Sequence, residues 1–425
     1  MLDPKIIRDQ PDLVKQGLAK KHGDTQLVDR FLDLDSKRRA LQGRVEQFQA
    51  ELNSASEEMA QAAPEAREEK RSALRELSDK VKTGSSELTE LEAEVLLIHR
   101  QIPNLPSSDV PEGSSDKENV VVKTVGEKPV FDFEPKDHEA LALNLNLLDS
   151  ERATKVSGAK FFYLKNELVI LEQAVLRFAL DSMREKGFNL LTVPHMAKAE
   201  AFYGAGHFST PEDALEGDVY QVERDNLYLA GTAEIGLINY RSQEVVGEEE
   251  LPLRYAGISP CYRREAGTYG KETRGLYRVH QFNKVEMVSL VKPADSEKEH
   301  EMLLGIAEEL LQKLGLSYQV VLNCGGDLGH PQAKKWDIET WLPGMNKYGE
   351  THSCSNDTDW QARSLGIRSK NANGERYFVH TLNNTVLASP RILVAILENY
   401  QEADGSIRIP DALVSYTGFD RIAAA

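Results

Sequence analysis

The sequence has few cysteines and no long apolar run. Its 425 residues include Cys261, Cys324 and Cys354, whose wide spacing fits neither a disulfide framework nor a cysteine-rich zinc site. No stretch of about 18 uncharged apolar residues occurs, so no membrane span is predicted. The first residues are charged and lack the apolar segment of a signal peptide. We therefore expect a soluble protein in the reducing environment of the cytoplasm.

Basic residues are scarce as well. There are 51 Lys and Arg against 68 Asp and Glu, which gives a formal net charge of −17. This balance argues mildly against nucleic-acid binding, because phosphate contacts need Lys and Arg. Any contact with RNA must use local basic patches. The length exceeds one ordinary hydrophobic core, so we expect two domains.

Residues 27–102 carry two apolar heptad seams, which predict an antiparallel helical hairpin. The first seam is interrupted at Arg38 and the second at Gly84, and Pro64 lies near the turn between them. Helices of this length extend for about 50 Å. The Pro-, Ser- and Gly-rich residues 103–119 are typical of a linker. We therefore predict an N-terminal hairpin domain over 1–102, a linker over 103–119 and a second domain over 120–425.

The second domain has a different pattern. An amphipathic helix, predicted from Leu164 to beyond Phe178, ends near Gly187, a plausible C-terminal cap. Short strand-like runs follow, and helical runs interrupt them irregularly. The strand-like runs are 227–231, 251–259, 281–290, 318–323 and 337–342, and the helical runs are about 297–314 and 390–401. This order predicts an α+β fold with a largely antiparallel sheet, not a regular βαβ alternation.

Residues 261–286 read as two strands around a glycine-rich loop. On the second strand, alternate positions Arg278, His280, Phe282, Lys284 and Glu286 share one face. A cation, an aromatic ring and a carboxylate in one line would form a good ligand-binding wall. The same pattern also fits a twisted hairpin with surface ion pairs. The residues alone leave both interpretations open.

The residues from Tyr262 to Glu286 resemble motif 2 of the class II aminoacyl-tRNA synthetases, and the string GTYGKETRGLYRVHQFNKVE resembles the seryl branch. Residues 187–194 resemble motif 1, which forms the dimer interface in that family. Arg391 at a helix start resembles motif 3. Residues 232–234 (TAE) and 350–356 (ETHSCSN) resemble two further segments of the seryl branch. Together with the hairpin, the resemblance covers nearly the whole chain.

The resemblance implies a class II synthetase-type antiparallel sheet with flanking helices, preceded by the N-terminal coiled-coil hairpin, in a homodimer. The implied reaction joins L-serine and ATP into seryl-adenylate, then transfers serine to the 3′ end of serine tRNA. Charging of a selenocysteine tRNA belongs to the same expectation. ATP is a substrate and Mg²⁺ accompanies it.

The resemblance also assigns roles to individual residues. Arg263 and Arg391 are the expected catalytic cations, since two anions must approach each other in amino-acid activation. Glu350 and Ser353 would hold Mg²⁺. The expected ATP-binding residues are Arg263, Glu265, Arg278, Val279, Phe282, Glu350, Ser353 and Arg391. The expected serine-binding residues are Thr232, Glu234, Arg263, Glu286 and Thr385.

Basic residues of the hairpin are the candidates for tRNA contact. The resemblance implies that the hairpin reads the long variable arm of serine tRNA. Residues 27–102 hold 12 Lys and Arg and 16 Asp and Glu, so only local clusters can serve. Solvated helix faces are the alternative interpretation. The candidate residues are Lys37, Arg38, Arg39, Arg44, Arg67, Lys70, Arg71 and Arg75.

The chain departs from the family pattern at several positions. Asn384, Val386 and Pro390 stand where bacterial members usually carry glycine, and Thr351-His352 is atypical after Glu350. Two other functions stay open from the sequence. One is an ATP-dependent ligase that loads an amino acid onto a carrier protein, for which a long hairpin has no use. The other is a non-catalytic paralogue, against which the retained motif residues argue.

Overall fold

The computed structural model describes residues 1–61, 67–265 and 275–423. The helices are α1 Pro4–Asp9, α2 Pro11–Lys20, α3 Gln26–Gln61, α4 Arg67–Gln101, α5 His138–Asn144, α6 Ser150–Ser157, α7 Glu167–Glu185, α8 Ala199–Ala205, α9 Pro211–Glu216, α10 Glu234–Asn239, α11 Ser296–Lys313, α12 Trp360–Leu365, α13 Ser389–Asn399 and α14 Asp411–Thr417. The strands are β1 Val120–Val125, β2 Leu148–Asp149, β3 Tyr163–Leu164, β4 Asn189–Thr192, β5 Met196–Ala197, β6 Gln221–Val222, β7 Leu227–Leu229, β8 Val245–Gly247, β9 Leu253–Tyr262, β10 Gln281–Val291, β11 Tyr318–Leu322, β12 Lys334–Leu342, β13 Lys347–Asn356, β14 Arg368–Lys370, β15 Arg376–Phe378, β16 His380–Ala388, β17 Ile407–Arg408 and β18 Arg421–Ile422.

The chain forms two compact units. The helical unit comprises Leu2–Ala19 and Gly23–Pro103, and the sheet unit comprises Met1, Lys20–His22 and Asn104–Ala425. The segment after Pro103 therefore belongs to the sheet unit. Asn104 fixes its start there, because its side-chain amide donates to the carbonyl oxygens of Pro331 and Asp357 at 2.9 and 2.8 Å.

In the helical unit, α3 and α4 pack against each other as the heptad pattern predicts. Gly84 lies opposite Val45, and a Cβ built on Gly84 would come within 2.8 Å of the valine side chain. The glycine that weakens the second seam thus allows the two helices to approach closely at this point. Farther along the pair, Lys80 lies over the Phe48 ring and Lys70 forms an ion pair with Glu58. These contacts fix the antiparallel register.

The interruption of the first seam at Arg38 has a local explanation. Arg38 binds the carboxylate of Asp35, which is only 2% exposed and also accepts from Arg8. Burial works to raise the pKa of Asp35, but the hydrogen bonds from Arg38 and Arg8 outweigh it and hold the pKa below its ordinary value. The polar step in the seam is therefore satisfied by an ion pair at the base of the hairpin.

An eight-stranded sheet forms the centre of the sheet unit, in the order β1-β11-β12-β13-β16-β10-β9-β4. Neighbouring strands are antiparallel except for β4, which runs parallel to β9. The predicted α+β class with a largely antiparallel sheet is confirmed. Alternate residues of the central strands point to opposite faces. On β10, Val285 and Met287 enter the core, whereas Lys284 and Glu286 point to the other face.

Helices α7, α11 and α13 cover the apolar face of this sheet. The stripe predicted on α7 is real, but Leu168, Leu171, Val175 and Phe178 are buried in the chain's own core. The sheet therefore covers this stripe, and the stripe needs no second subunit to bury it. The helix ends just before Gly187, which has a φ of +81°, a conformation that favours glycine.

None of the helices in the described ranges is long and apolar enough to span a bilayer.

Candidate active site

Polar side chains from the uncovered sheet face and the adjoining segments meet in one cleft of about 170 Å³. Strands β10, β13 and β16 form its floor, and the starts of α10 and α13 contribute at its edges. Of the residues predicted to bind ATP or serine, Arg278 alone does not line the cleft. The lining residues are His207, Thr232, Glu234, Arg263, Glu265, Tyr277, Val279, Phe282, Lys284, Glu286, Gln332, Glu350, Thr351, Ser353, Ser355, Asn383, Thr385, Ala388, Pro390 and Arg391.

One part of the cleft is built around Arg391, in the first turn of α13. Its Nη1 donates to the Glu350 carbonyl oxygen at 2.7 Å and lies 3.2 Å from the Glu350 carboxylate. Its guanidinium also lies 4.8 Å from the Tyr277 ring centroid. Burial works to raise the pKa of Glu350, but Arg391 and Lys335 outweigh it and hold that pKa below its ordinary value. Glu350 is therefore anionic at neutral pH.

Arg263 lies where β9 ends. Its Nε donates to the Gly231 carbonyl oxygen at 3.2 Å, and its guanidinium lies 5.4 Å from the Phe282 ring centroid. Arg278, the predicted residue outside the cleft lining, binds Glu265 instead, with Nη1 3.1 Å from the carboxylate. Arg278 is thus held beside the cleft by a residue that lines it. The intervening loop, with Gly267, Gly270, Lys271 and Arg274, lies outside the described residues.

The buried Glu286 and the half-buried Glu234 line another part of the cleft. Glu286 on β10 forms an ion pair with Lys284, two residues earlier on the same face. Glu234, at the start of α10, accepts from the Gln361 side chain at 2.8 Å. Burial raises the pKa of both carboxyls, although Lys284 opposes the shift. The backbone N–H of Glu234 donates to the Thr232 hydroxyl at 3.2 Å.

Two β-bulges direct side chains into the cleft. Between β12 and β13 the register shifts so that Thr351 is the extra residue, and between β10 and β16 the extra residue is Val386. Residues three apart on a regular strand lie on opposite faces, but an inserted residue restores them to one face. Glu350 and Ser353 therefore both line the cleft, and so do Thr385 and Ala388.

The Glu350 carboxylate and the Ser353 hydroxyl are the candidate ligands for the Mg²⁺ that the resemblance implies. An anionic carboxylate and a hydroxyl on one face are hard donors of the kind Mg²⁺ accepts. The described residues contain no cluster of three or more His, Cys, Asp or Glu that could hold a metal ion. Glu350 and Ser353 therefore fit a Mg²⁺ that takes its remaining ligands from substrate phosphates and water, as Mg²⁺ commonly does.

Comparison with known proteins agrees with this geometry. Residues 1–106 match the seryl-tRNA synthetase N-terminal domain, and residues 219–400 match the tRNA synthetase class II core domain (G, H, P, S and T). The serine–tRNA ligase of Treponema denticola is 45% identical, over 99% of this chain and 100% of its own length. That of Dictyoglomus turgidum is 44% identical over 99% of each chain. The chain belongs to the seryl-tRNA synthetase family.

Solved structures of the family extend the comparison. Seryl-tRNA synthetase from Pyrococcus horikoshii, complexed with ATP, is 39% identical, with a TM-score of 0.91 over 100% of both chains. Cytoplasmic serine–tRNA ligase from Naegleria fowleri, in complex with AMP, is 29% identical. Its TM-score is 0.86, over 100% of this chain and 99% of that one. The fold of a seryl-tRNA synthetase therefore extends over the full chain.

The cleft also contains residues to which the sequence assigned no role. Lys284 shares the strand face of Phe282 and Glu286, so its position in the alternating pattern was a usable signal. His207, whose Nε2 lies 3.8 Å from the Glu234 carboxylate, follows a loop that gives no pattern of its own. Gln332, Ser355 and Asn383 come from separate segments, and only the folded sheet brings them together.

The departures from the family pattern are accommodated by the backbone. None of Asn384, Val386 and Pro390 has a positive φ, so the conformation does not require glycine at these positions. Pro390 lies at the start of α13. Proline is tolerated there because a backbone N–H at that position would have no acceptor within the helix. Asn384 donates to the Leu303 carbonyl oxygen at 2.9 Å.

The hairpin cations differ in their surroundings. Lys37 and Lys70 form ion pairs with Asp33 and Glu58 at 2.7 and 3.0 Å, and Arg38 and Arg39 both bind Asp35. The side chain of Arg67 lies outside the described residues. Within the part of the hairpin that the structure describes, the exposed candidates that form no such ion pair are Arg44, Arg71 and Arg75.

Proposed function

We propose that this protein joins L-serine and ATP into seryl-adenylate and then transfers serine to the 3′ end of serine tRNA. The observation that carries the proposal is the single cleft in which Arg263 and Arg391 lie together with the carboxylates of Glu234 and Glu286. Such a cleft can hold an anionic nucleotide and an amino acid at the same time. Relatives that span the full chain are serine–tRNA ligases.

In the first step, an oxygen of the serine carboxylate attacks the α-phosphorus of ATP and pyrophosphate leaves. The nucleophile is already anionic, so no side chain has to remove a proton. The chain's task is to hold two anions in line and to stabilise the charge that develops. Arg263 would contact the α-phosphate and the serine carboxylate with its planar guanidinium. Arg391 and Arg278 would contact the β- and γ-phosphates.

We take the remaining ATP contacts from the family resemblance, and their position in the cleft supports them. Phe282 offers a ring face to adenine, Glu265 offers a carboxylate to the adenine amino group, and Val279 borders them. Related structures hold ATP or AMP, and we extend nucleotide binding to this chain. Mg²⁺, when bound by Glu350 and Ser353, would neutralise phosphate charge and fix the leaving pyrophosphate.

The serine side would be formed by Glu286, Thr385, Thr232 and Glu234. We infer that Glu286 accepts a hydrogen bond from the serine hydroxyl, with Thr385 beside it. Glu234 and Thr232 would bind the ammonium group. Alanine lacks the hydroxyl, so Glu286 would lose that hydrogen bond in a buried pocket, and such a pocket discriminates strongly against alanine. Lys284 would favour the anionic form of Glu286 and so oppose the effect of burial on its pKa.

In the second step, a hydroxyl of the terminal adenosine of the tRNA attacks the seryl carbonyl, an ester forms and AMP leaves. We propose that the hairpin α3–α4 binds the tRNA through its basic residues and the shape of an RNA helix. Its exposed members Arg44, Arg71 and Arg75 would make the strongest phosphate contacts. Charging of a selenocysteine tRNA and a cytoplasmic location stay predictions.

The proposal is tested by charging total tRNA with labelled serine and ATP and sequencing the tRNAs that carry the label. We expect serine tRNAs to be labelled, with selenocysteine tRNA as a second acceptor. Labelling of a carrier protein in place of tRNA would instead identify the alternative ligase. Absence of any serine-dependent ATP use would contradict both.

A further inference from the structure

The two bulges that direct side chains into the cleft are joined by a chain of buried hydrogen bonds. The Thr340 hydroxyl lies 2.8 Å from the hydroxyl of Thr351, the extra residue of β13. Thr351 Oγ1 lies 2.9 Å from Nδ1 of His352, and Nε2 of His352 lies 3.1 Å from the carbonyl oxygen of Val386, the extra residue of β16. All three polar side chains are buried.

The chemistry of the groups fixes the proton of His352. A carbonyl oxygen only accepts, so Nε2 of His352 must carry the proton and donate to Val386, and Nδ1 of the neutral imidazole is then an acceptor. The single proton of the Thr351 hydroxyl can go to Nδ1 or to the Ile338 carbonyl oxygen, which lies 3.2 Å from Thr351 Oγ1. In both arrangements the Thr351 oxygen accepts from the Thr340 hydroxyl. No alternative position of the histidine proton satisfies the Val386 carbonyl.

His352 does not face the cleft. It pairs with Ile338, a core residue, and it alternates with Ser353, which lines the cleft. Its side chain therefore lies on the core face of the sheet, where it is 1% exposed. It reaches both bulges from behind, and one of these bulges orients Glu350 while the other orients Thr385.

We propose that His352 is a positioning residue that locks the two bulges together. It thereby holds Glu350 with Ser353, and Thr385 with Ala388, in the same cleft. The inference rests on the proposed function for the meaning of these two groups, the nucleotide side and the serine side. Thr351, His352 and Val386 then form one hydrogen-bonded unit, in which the imidazole restrains both extra residues.

The test compares His352→Gln with His352→Asn. The glutamine amide can occupy the place of Nε2 and donate to Val386, whereas the shorter asparagine amide reaches only the place of Nδ1. We expect His352→Asn to raise the KM of both ATP and serine in pyrophosphate exchange by roughly tenfold, as loss of a buried hydrogen bond does. His352→Gln should keep both KM values within about threefold of the original. Calorimetric binding of ATP and of serine, each alone, should change in parallel.

His300→Asn is the matched control. His300 is also buried, and its Nε2 lies 3.0 Å from the carbonyl oxygen of Cys354, which is on β13 but outside both bulges. It should lower the unfolding temperature as much as His352→Asn does, with both KM values unchanged. If His352→Asn behaves like this control, or if it affects only one substrate, the positioning role is wrong.

A second variant and a measurement on the unsubstituted protein complete the test. Should His352→Asn fail to fold, Thr340→Val is the substitute variant. It removes the first hydroxyl of the hydrogen-bond series, and Thr340 does not line the cleft. It should raise both KM values several-fold, and unchanged values would contradict the inference. An unsubstituted protein that shows no serine-dependent exchange would overturn the proposed function instead. The effect of His352→Asn on calorimetric ATP binding would then still show whether His352 has a positioning role.

Discussion

At the scale of single residues, the contrast between Arg263 and Arg264 is the sharpest. Arg263 lines the cleft, whereas Arg264 is exposed and directs its guanidinium to the Gly217 carbonyl oxygen at 3.3 Å. Arg263→Ala should reduce serine-dependent pyrophosphate exchange by roughly 10²-fold or more, as loss of a transition-state contact does. Arg264→Ala should retain most of the exchange. Near-normal exchange by a folded Arg263→Ala protein would remove this arginine from the proposed mechanism.

The carboxylates of the cleft predict different pH dependences for the KM of serine and the KM of ATP. The pKa values of Glu234 and Glu286 are raised above the ordinary 4.5, so these groups take up protons first on acidification. The pKa of Glu350 is lowered, so it stays anionic in the same range. The KM of serine should therefore rise as the pH is lowered from neutral, at a pH where the KM of ATP stays nearly constant.

Both KM values can be followed in the exchange assay across this range. The serine ammonium stays protonated throughout, so the change reports on the protein. If the KM of ATP rises while the KM of serine stays level, ATP and serine have been assigned to the wrong parts of the cleft.

Most residues brought together in the cleft could be proposed from the sequence, because they lie in short motifs with fixed spacing. Alternation along β10 placed Phe282 and Glu286 on one face. The bulges at Thr351 and Val386 could not be predicted, since a one-residue insertion in a strand is fixed by its partner strand. For the same reason, the hydrogen bonds of His352 are visible only in the folded sheet.

At the scale of secondary-structure elements, the hairpin offers a separable function. Phe48 and Lys80 lie at the same level of the two helices, so removing residues 49–79 and closing the gap with a short Gly-Ser turn keeps the register. The shortened protein should retain serine-dependent exchange, because the cleft belongs to the sheet unit. Charging of serine tRNA should be lost, and tRNA binding should depend less on salt, because fewer phosphate contacts remain.

Alanine at the exposed residues Arg44, Arg71 and Arg75 gives a milder version of the same test. Their combined replacement should weaken tRNA binding with exchange unchanged. Full charging of serine tRNA by the shortened protein would mean that the hairpin is a scaffold and that tRNA is bound elsewhere.

The elements differed in how well the sequence predicted them. The heptad seams of α3 and α4 and the runs of β9, β10 and β11 were predicted within a few residues, because period-3.5 and period-2 patterns are local. The sequence predicted the apolar stripe of α7, but it did not show that the sheet of the same chain covers it. A stripe shows that a helix face is covered, and it does not show whether the same chain or another one covers it.

At the scale of the whole molecule, we propose a homodimer formed through the motif 1 region. With the α7 stripe buried, other residues must form the interface. Val169 and Ile170 on α7 and Leu190 on β4 are exposed, by 37, 44 and 40%, and β4 is an edge strand of the eight-stranded sheet. Exposed apolar residues beside an unprotected edge strand are typical of an interface.

Sedimentation at micromolar concentration should give twice the 47.5 kDa mass of the chain. Replacement of Ile170 and Leu190 by aspartate should shift the protein towards the monomer, because charged residues are unfavourable in the core of an interface. A monomeric mass for the unsubstituted protein would contradict the dimer.

The central claim is that the cleft selects serine and activates it with ATP. The most direct measurement is ATP–pyrophosphate exchange with each of the twenty amino acids in turn. Serine should support exchange, and alanine should fall below it by roughly 10⁴-fold, because it offers no hydroxyl to Glu286 in a buried pocket. Exchange that is equal for serine and alanine, or that is supported by a different amino acid, would contradict the account.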